Sequence, residues 1–176
     1  MERRSFLKWA IHGLGVLFAT ILGLPALAYL IDGRHRPGRP GQFKTVARLS
    51  DLTEGVPHQA VIHEINRDAW TLHPNDVIGR VWLIRRDQDN VEAFTTICPH
   101  LGCSVNFEEK EQLFICPCHG GTFDHHCQRV ERPGIVNPAP RGMDRLECRR
   151  DPADLDLIQV EYKNFYQGQP TAIPKS

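Results

Sequence analysis

Polar residues open the chain, an apolar run of 23 positions follows over 9–31 without one Asp, Glu, Lys or Arg, and the remainder breaks into short alternating stretches. At about 1.5 Å per residue, a helix over that run is about 34 Å long, enough to cross the hydrocarbon core of a bilayer. The pattern therefore predicts one N-terminal transmembrane helix over 9–31. Beyond it, positions 45–49, 59–65, 79–85, 91–97 and 157–162 are rich in Val and Ile and separated by Pro, Gly, Asn and Asp, the composition of short strands. Positions 158–162 alternate apolar and polar residues, and nowhere after the linker does a 3.6-residue period hold over eleven positions. The fold class expected is mainly β. Between helix and strands, positions 32–41 hold three Gly and two Pro. They read as a hinge, a flexible linker over 32–44 before a globular domain over 45–176.

A length of 176 residues admits one domain of average size plus a small extra element. Lys plus Arg and Asp plus Glu each total 21, so the basic excess of a dedicated nucleic-acid binder is absent and no nucleic-acid partner is expected. The balance hides an asymmetry: positions 1–44 carry seven basic residues against two acids, and positions 45–176 carry 14 against 19. Positions 1–8 contain Arg3-Arg4, then Phe6-Leu7 and Lys8, which resembles the twin-arginine export signal. That resemblance implies a prokaryotic cytoplasmic membrane, with the N-terminus inside and the globular head on the periplasmic, extracytoplasmic side. Pro25-Ala26-Leu27-Ala28 offers an A-x-A cleavage pattern, but the apolar run continues past it through Ile31, and retention as an anchor is expected. His12 lies four residues from Lys8, near the membrane interface, and reads as ordinary polarity.

The chain carries six cysteines and nine histidines. Four of the cysteines fall in two boxes, Cys98-Pro99-His100-Leu101-Gly102-Cys103 and Cys116-Pro117-Cys118-His119-Gly120-Gly121. Thiolate and imidazole ligate zinc or iron–sulfur clusters, and two such loops could close around one metal or cap a two-iron cluster. Spacing alone leaves both open. Asp124-His125-His126-Cys127 reads as a polar turn rather than a second metal site, and His58, His63 and His73 as surface or strand residues. Cys-Pro-Cys-His lacks the spacing of covalent haem attachment. Whether Cys127 and Cys148 pair, the sequence leaves open.

The two boxes resemble those of the Rieske iron–sulfur proteins, C-x-H-x-G-C and C-x-C-H-G. The resemblance implies one [2Fe–2S] cluster, with Cys98 and Cys116 on one iron and His100 and His119 on the other. It further implies a disulfide between Cys103 and Cys118, and a catalytic role for His119 facing a quinol. Asn137-Pro138-Ala139-Pro140 is similar to the family's proline loop over the cluster. The architecture implied is an antiparallel β-sandwich head with a cluster-binding subdomain near 95–147. The function implied is that of the Rieske subunit of a cytochrome bc or b6f complex: it takes one electron and a proton from quinol and passes the electron to a c-type cytochrome. Its partners would be b-type and c-type cytochrome subunits, quinol and the lipid bilayer. The rivals are the small Rieske subunit of arsenite oxidase and, from another class, a zinc-stabilised interaction module. High-potential members carry Ser where this chain has Gly121 and Tyr where it has Phe123. Their absence here implies a low-potential cluster suited to menaquinol.

Overall fold

A computed structural model describes residues 2–35, 42–67 and 71–175, in two units, 1–40 and 41–176. Among the described residues, the first unit holds a single helix, α1, Arg3–His35, long and apolar enough to cross a membrane. It is longer than the apolar run at both ends. The polar residues Asp32–His35, assigned to the linker by composition, continue its backbone ladder, and one Gly among them costs only about 1 kcal/mol. Pro25 is accommodated inside the helix. The rest of the expected linker, 36–41, lies outside the described residues.

The second unit is built from antiparallel strands. Six of them, β1 (Phe43–Arg48), β2 (His58–Arg67), β3 (Leu72–Arg85), β4 (Val91–Thr95), β8 (Arg145–Arg150) and β9 (Leu157–Glu161), form one sheet in the order β1-β9-β8-β4-β3-β2. Phe43 and Lys44, assigned to the linker, already belong to β1, since Phe43 pairs with Glu161 and Lys44 with Val160. The sheet curls until its two edges approach, where Lys44 Nζ meets Glu64 Oε1 at 3.2 Å. A smaller sheet holds β5 (Asn106–Glu108), β6 (Leu113–Ile115) and β7 (Thr122–Phe123). Among the described residues, the only helix in this unit is a 3-10 turn at Leu49–Asp51.

Four consecutive buried apolar residues in β3, Val81-Trp82-Leu83-Ile84, reveal how the layers meet. Side chains alternate across a strand, so such a run requires cover on both faces. Val81 and Leu83 join Ala60, Ile62, Ala93, Leu146, Ile158 and Val160 in one core. Trp82 and Ile84 join Phe94, Val105, Phe114, Phe123 and Met143 in the other, together with Cys98 and Cys116. Phe94 and Ala93 divide in the same way on β4. The main sheet is thus packed on both sides, as the sandwich expectation required, and its second core forms the floor of the two cysteine–histidine loops. Trp82 donates its indole N–H to the Val105 carbonyl at 3.1 Å and stacks edge-on against Phe114, locking that floor to the small sheet.

Candidate metal centre

Both boxes fold into the same kind of turn. The first leaves the end of β4; its Cys98 N–H donates to Cys103 O at 2.8 Å, and Gly102 N–H returns to Cys98 O at 3.0 Å. The second joins β6 to β7; its Cys116 N–H donates to Gly121 O at 2.7 Å, and Gly120 N–H returns to Cys116 O at 3.1 Å. In each turn the residue four after the cysteine has positive φ, +89° at Gly102 and +73° at Gly120, a conformation that glycine adopts without the steric penalty of a Cβ. The fixed Cys-to-Gly spacing in the sequence is therefore a backbone requirement.

Burial sorts the four cysteines. Cys98 and Cys116 are buried free thiols with side chains hydrogen-bonded to each other, whereas Cys103 and Cys118 are more exposed and joined by a disulfide with Cα atoms 6.5 Å apart. The sulfurs of Cys103, Cys116 and Cys118 all lie within 4.8 Å of one another, so the bridge stands directly beside the free thiol of Cys116. His100 and His119 meet edge to face with ring centroids 4.9 Å apart, His119 exposed and His100 half-buried. The structure thus brings two soft sulfur donors together and, separately, two imidazoles together, with a covalent tie across the two loops that carry them. Burial pushes the Cys98 thiol well above its ordinary range, and the neighbouring Cys116 pushes it the same way, while backbone N–H groups of His100 and Leu101 favour the thiolate. A dry thiol pair with amides already aimed at sulfur suits a cationic iron site, where the metal replaces the protons. The donor set fits a two-iron cluster held by two Cys and two His, and it gives no support to a four-ligand zinc site using Cys103 or Cys118.

The proline loop lies against the second box through Asn137. This residue is buried; its Nδ2 donates to Thr122 O at 2.6 Å and Val130 O at 2.8 Å, and its Oδ1 accepts from Ala139 N at 3.0 Å. Ala139 is buried, with Pro138 half-buried and Pro140 exposed on either side. A Cβ placed on Gly121 would stand 3.4 Å from Cys98 Sγ and 3.8 Å from Asn137 Oδ1, so Gly121 sits between sulfur and proline loop. Phe123 is fully buried in the same core as the two thiols. Thr122, the residue after Gly121, donates its Oγ1–H to Gly120 O at 2.9 Å.

Other motifs resolve simply. Asp124-His125-His126-Cys127 is a polar turn, with Asp124 Oδ1 accepting from His126 N and Gln128 N, both at 2.8 Å. Its His125 Nε2 lies 2.7 Å from Gly55 O, and its Nδ1 lies 3.0 Å from Arg86 Nη1. Cys127 and Cys148 are both free. They cannot pair, because Cys127 is packed in the second core and Cys148 against the first, on opposite faces of the sheet. Sequence reasoning did not foresee the buried pair behind the proline loop. Arg141 Nε reaches Asp144 Oδ1 at 2.7 Å and its Nη2 reaches Asp144 Oδ2 at 2.8 Å, and the same guanidinium donates to the carbonyls of Tyr166 and Gln169. The i,i+3 spacing of Arg141 and Asp144 was its only trace in the sequence.

The chain is 27% identical over 150 residues to the menaquinol:cytochrome c reductase iron-sulfur subunit of Geobacillus thermodenitrificans, covering 84% of this chain and 85% of that one. It is 28% identical over 144 residues to the subunit of the same name from Bacillus subtilis, covering 80% and 82%. Among solved structures it matches the cyanobacterial plasma membrane Rieske protein PetC3 from Synechocystis PCC 6803 at 23% identity and a TM-score of 0.37, over 52% of this chain and 85% of that one. The family model of the Rieske [2Fe-2S] domain matches residues 42–148, a span that contains both turns, both thiols, both imidazoles, the disulfide and the proline loop; the chain belongs to the Rieske [2Fe-2S] family.

Proposed function

We propose that this protein is the membrane-anchored Rieske subunit of a bc-type menaquinol:cytochrome c oxidoreductase, with Cys98, His100, Cys116 and His119 as cluster ligands. The observation that carries the reading is that two loops, tied by a disulfide close to Cys116, supply two paired buried thiols and two imidazoles in contact with each other, in a domain whose relatives are named for that reaction. When bound, a two-iron cluster held by two thiolates and two imidazoles supplies one-electron chemistry at a high potential for iron–sulfur, because the oxidised site has no net charge. His119, exposed, would be one of the two imidazoles holding the cluster, and its remaining ring nitrogen would be the atom placed to accept a proton from a quinol hydroxyl. His100, half-buried, is held back from solvent. The buried floor of Phe114, Phe123 and Val105 excludes water from the thiols. Arg3-Arg4 and the apolar helix support export through the twin-arginine route, retention as a single-pass anchor and a head on the periplasmic side, where b-type and c-type cytochrome subunits would meet it.

Purification in mild detergent tests the reading. A rhombic two-iron EPR signal after dithionite reduction and a co-purifying b-type cytochrome are the expected results. A colourless protein holding zinc, or a molybdenum subunit in place of the cytochrome, would overturn it.

A further inference from the structure

The C-terminal segment over 164–175 lies beyond the stretch matched by the family model, which ends at 148. It closes on itself, with Tyr166 N–H donating to Ile173 O at 2.9 Å and Lys175 N–H to Asn164 O at 2.7 Å, and it is anchored in the first core by buried Phe165. Two contacts tie this strap to the cluster loops. Gly168 N–H donates to the Pro99 carbonyl at 2.8 Å. Arg141, held by Asp144, grips the carbonyls of Tyr166 at 3.0 Å and Gln169 at 2.5 Å, on either side of Gly168, and so fixes where that N–H points.

Pro99 O belongs to the same peptide unit as the His100 N–H, and that N–H is directed at Cys98 Sγ. We infer that the strap tunes the cluster through a backbone relay, Gly168 N–H to the Pro99–His100 peptide to Cys98 sulfur, with Gly168 and Arg141 as positioning residues. A peptide whose carbonyl accepts a hydrogen bond becomes a better N–H donor, by about 10–30% per bond. A stronger bond to sulfur favours the reduced, more negative state and raises the midpoint potential. Gly168 suits the turn because its φ is +71°, which most side chains disfavour, while a Cβ there would meet nothing closer than His100 O at 3.9 Å. The constraint is on backbone conformation rather than on space.

The relay rests on the ligand assignment proposed above, and its test separates the two. The full-length, cluster-loaded protein is titrated, with midpoint potential, EPR spectrum and iron content recorded for three variants. Gly168→Val disfavours the left-handed turn and displaces the N–H; chain termination after Phe165 removes the N–H without introducing strain; Gly168→Asn tolerates positive φ and keeps it. Scaling a bond to a charged acceptor by that cooperativity shifts the reduction equilibrium about 1.3- to fivefold, which a one-electron couple reads as roughly 6–40 mV. The expected result is a fall of that size in Gly168→Val and in the truncated chain, with iron content and the rhombic signal retained, and the wild-type value in Gly168→Asn. Iron-replete truncated protein at the wild-type potential overturns the relay. Loss of iron from the truncated chain also overturns it, by making the strap a mere retainer of the loop. A wild-type protein without the rhombic signal would instead defeat the ligand assignment.

Discussion

Gly121→Ser is the sharpest perturbation available at the centre itself. The Cβ it adds stands 3.4 Å from Cys98 Sγ, 3.5 Å from Cys116 Cβ and 3.8 Å from Asn137 Oδ1, all ordinary contacts, so the side chain enters without repacking. One bond further, its hydroxyl can be aimed at the Cys98 sulfur. The competing acceptor, Asn137 Oδ1, is already engaged by Ala139 N. The hydroxyl of Thr122, next along the chain, is committed to the Gly120 carbonyl. A hydrogen bond to a charged acceptor is worth about 1.5–3 kcal/mol, and about 1.4 kcal/mol is about 59 mV for one electron. Placed wholly on the reduced state, the new bond raises the midpoint by roughly 60–130 mV. Redox titration of the detergent-purified protein, followed by EPR, reads the shift directly. An iron-replete Gly121→Ser protein whose potential is unchanged or lower would refute the placement of Gly121 beside the sulfur. A native midpoint equal to that of ubiquinol-oxidising members would refute the assignment to a low-potential quinol such as menaquinol.

Cys118→Ser removes a bridge that closes a loop of 15 residues, which in the chain-entropy account costs about 3 kcal/mol, so thermal unfolding moves down and iron is lost faster on incubation with a chelator. Asn137→Ala strands the Thr122 and Val130 carbonyls and frees the proline loop; denaturant titration should show a loss of about 2–4 kcal/mol, whereas Pro140→Ala, on the exposed side of that loop, changes stability little. In protein stripped of its cluster, burial holds the Cys98 thiol above its ordinary value and that of Cys148 up at about 11. The unfolded chain therefore ionises these thiols first, and the urea midpoint falls as pH rises from about 9 toward 11. Iron ligation of Cys98 removes its share of that slope, so cluster-loaded protein with the same slope would contradict its role as a ligand.

The helix was determined by sequence alone, because 23 positions without a charged residue have few other stable environments. So were the longer strands, whose Val and Ile content and bounding turn residues need no partner to be legible. The paired boxes were equally plain: a metal centre needs particular atoms, and glycine four residues after each cysteine is demanded by the local turn itself. Short pieces escaped. The small sheet has strands of two or three residues, below the length at which a period can show. The strand Arg145–Arg150 hides behind four charged residues, although Leu146 and Cys148 alternate toward the core. It becomes a strand because two neighbours, β4 and β9, supply its ladder.

Other decisions were tertiary from the start. Which cysteines bond and which stay free depends on which face of a layer each side chain occupies, and that separates Cys127 from Cys148 by the thickness of a sheet. The roles of Asn137, Arg141 and Gly168 come from carbonyls presented by segments distant in sequence, such as Pro99 for Gly168. A chain can announce the atoms that will hold a cluster by their type and spacing. The amides and carbonyls that orient those atoms belong to every residue alike, so only the folded arrangement selects them.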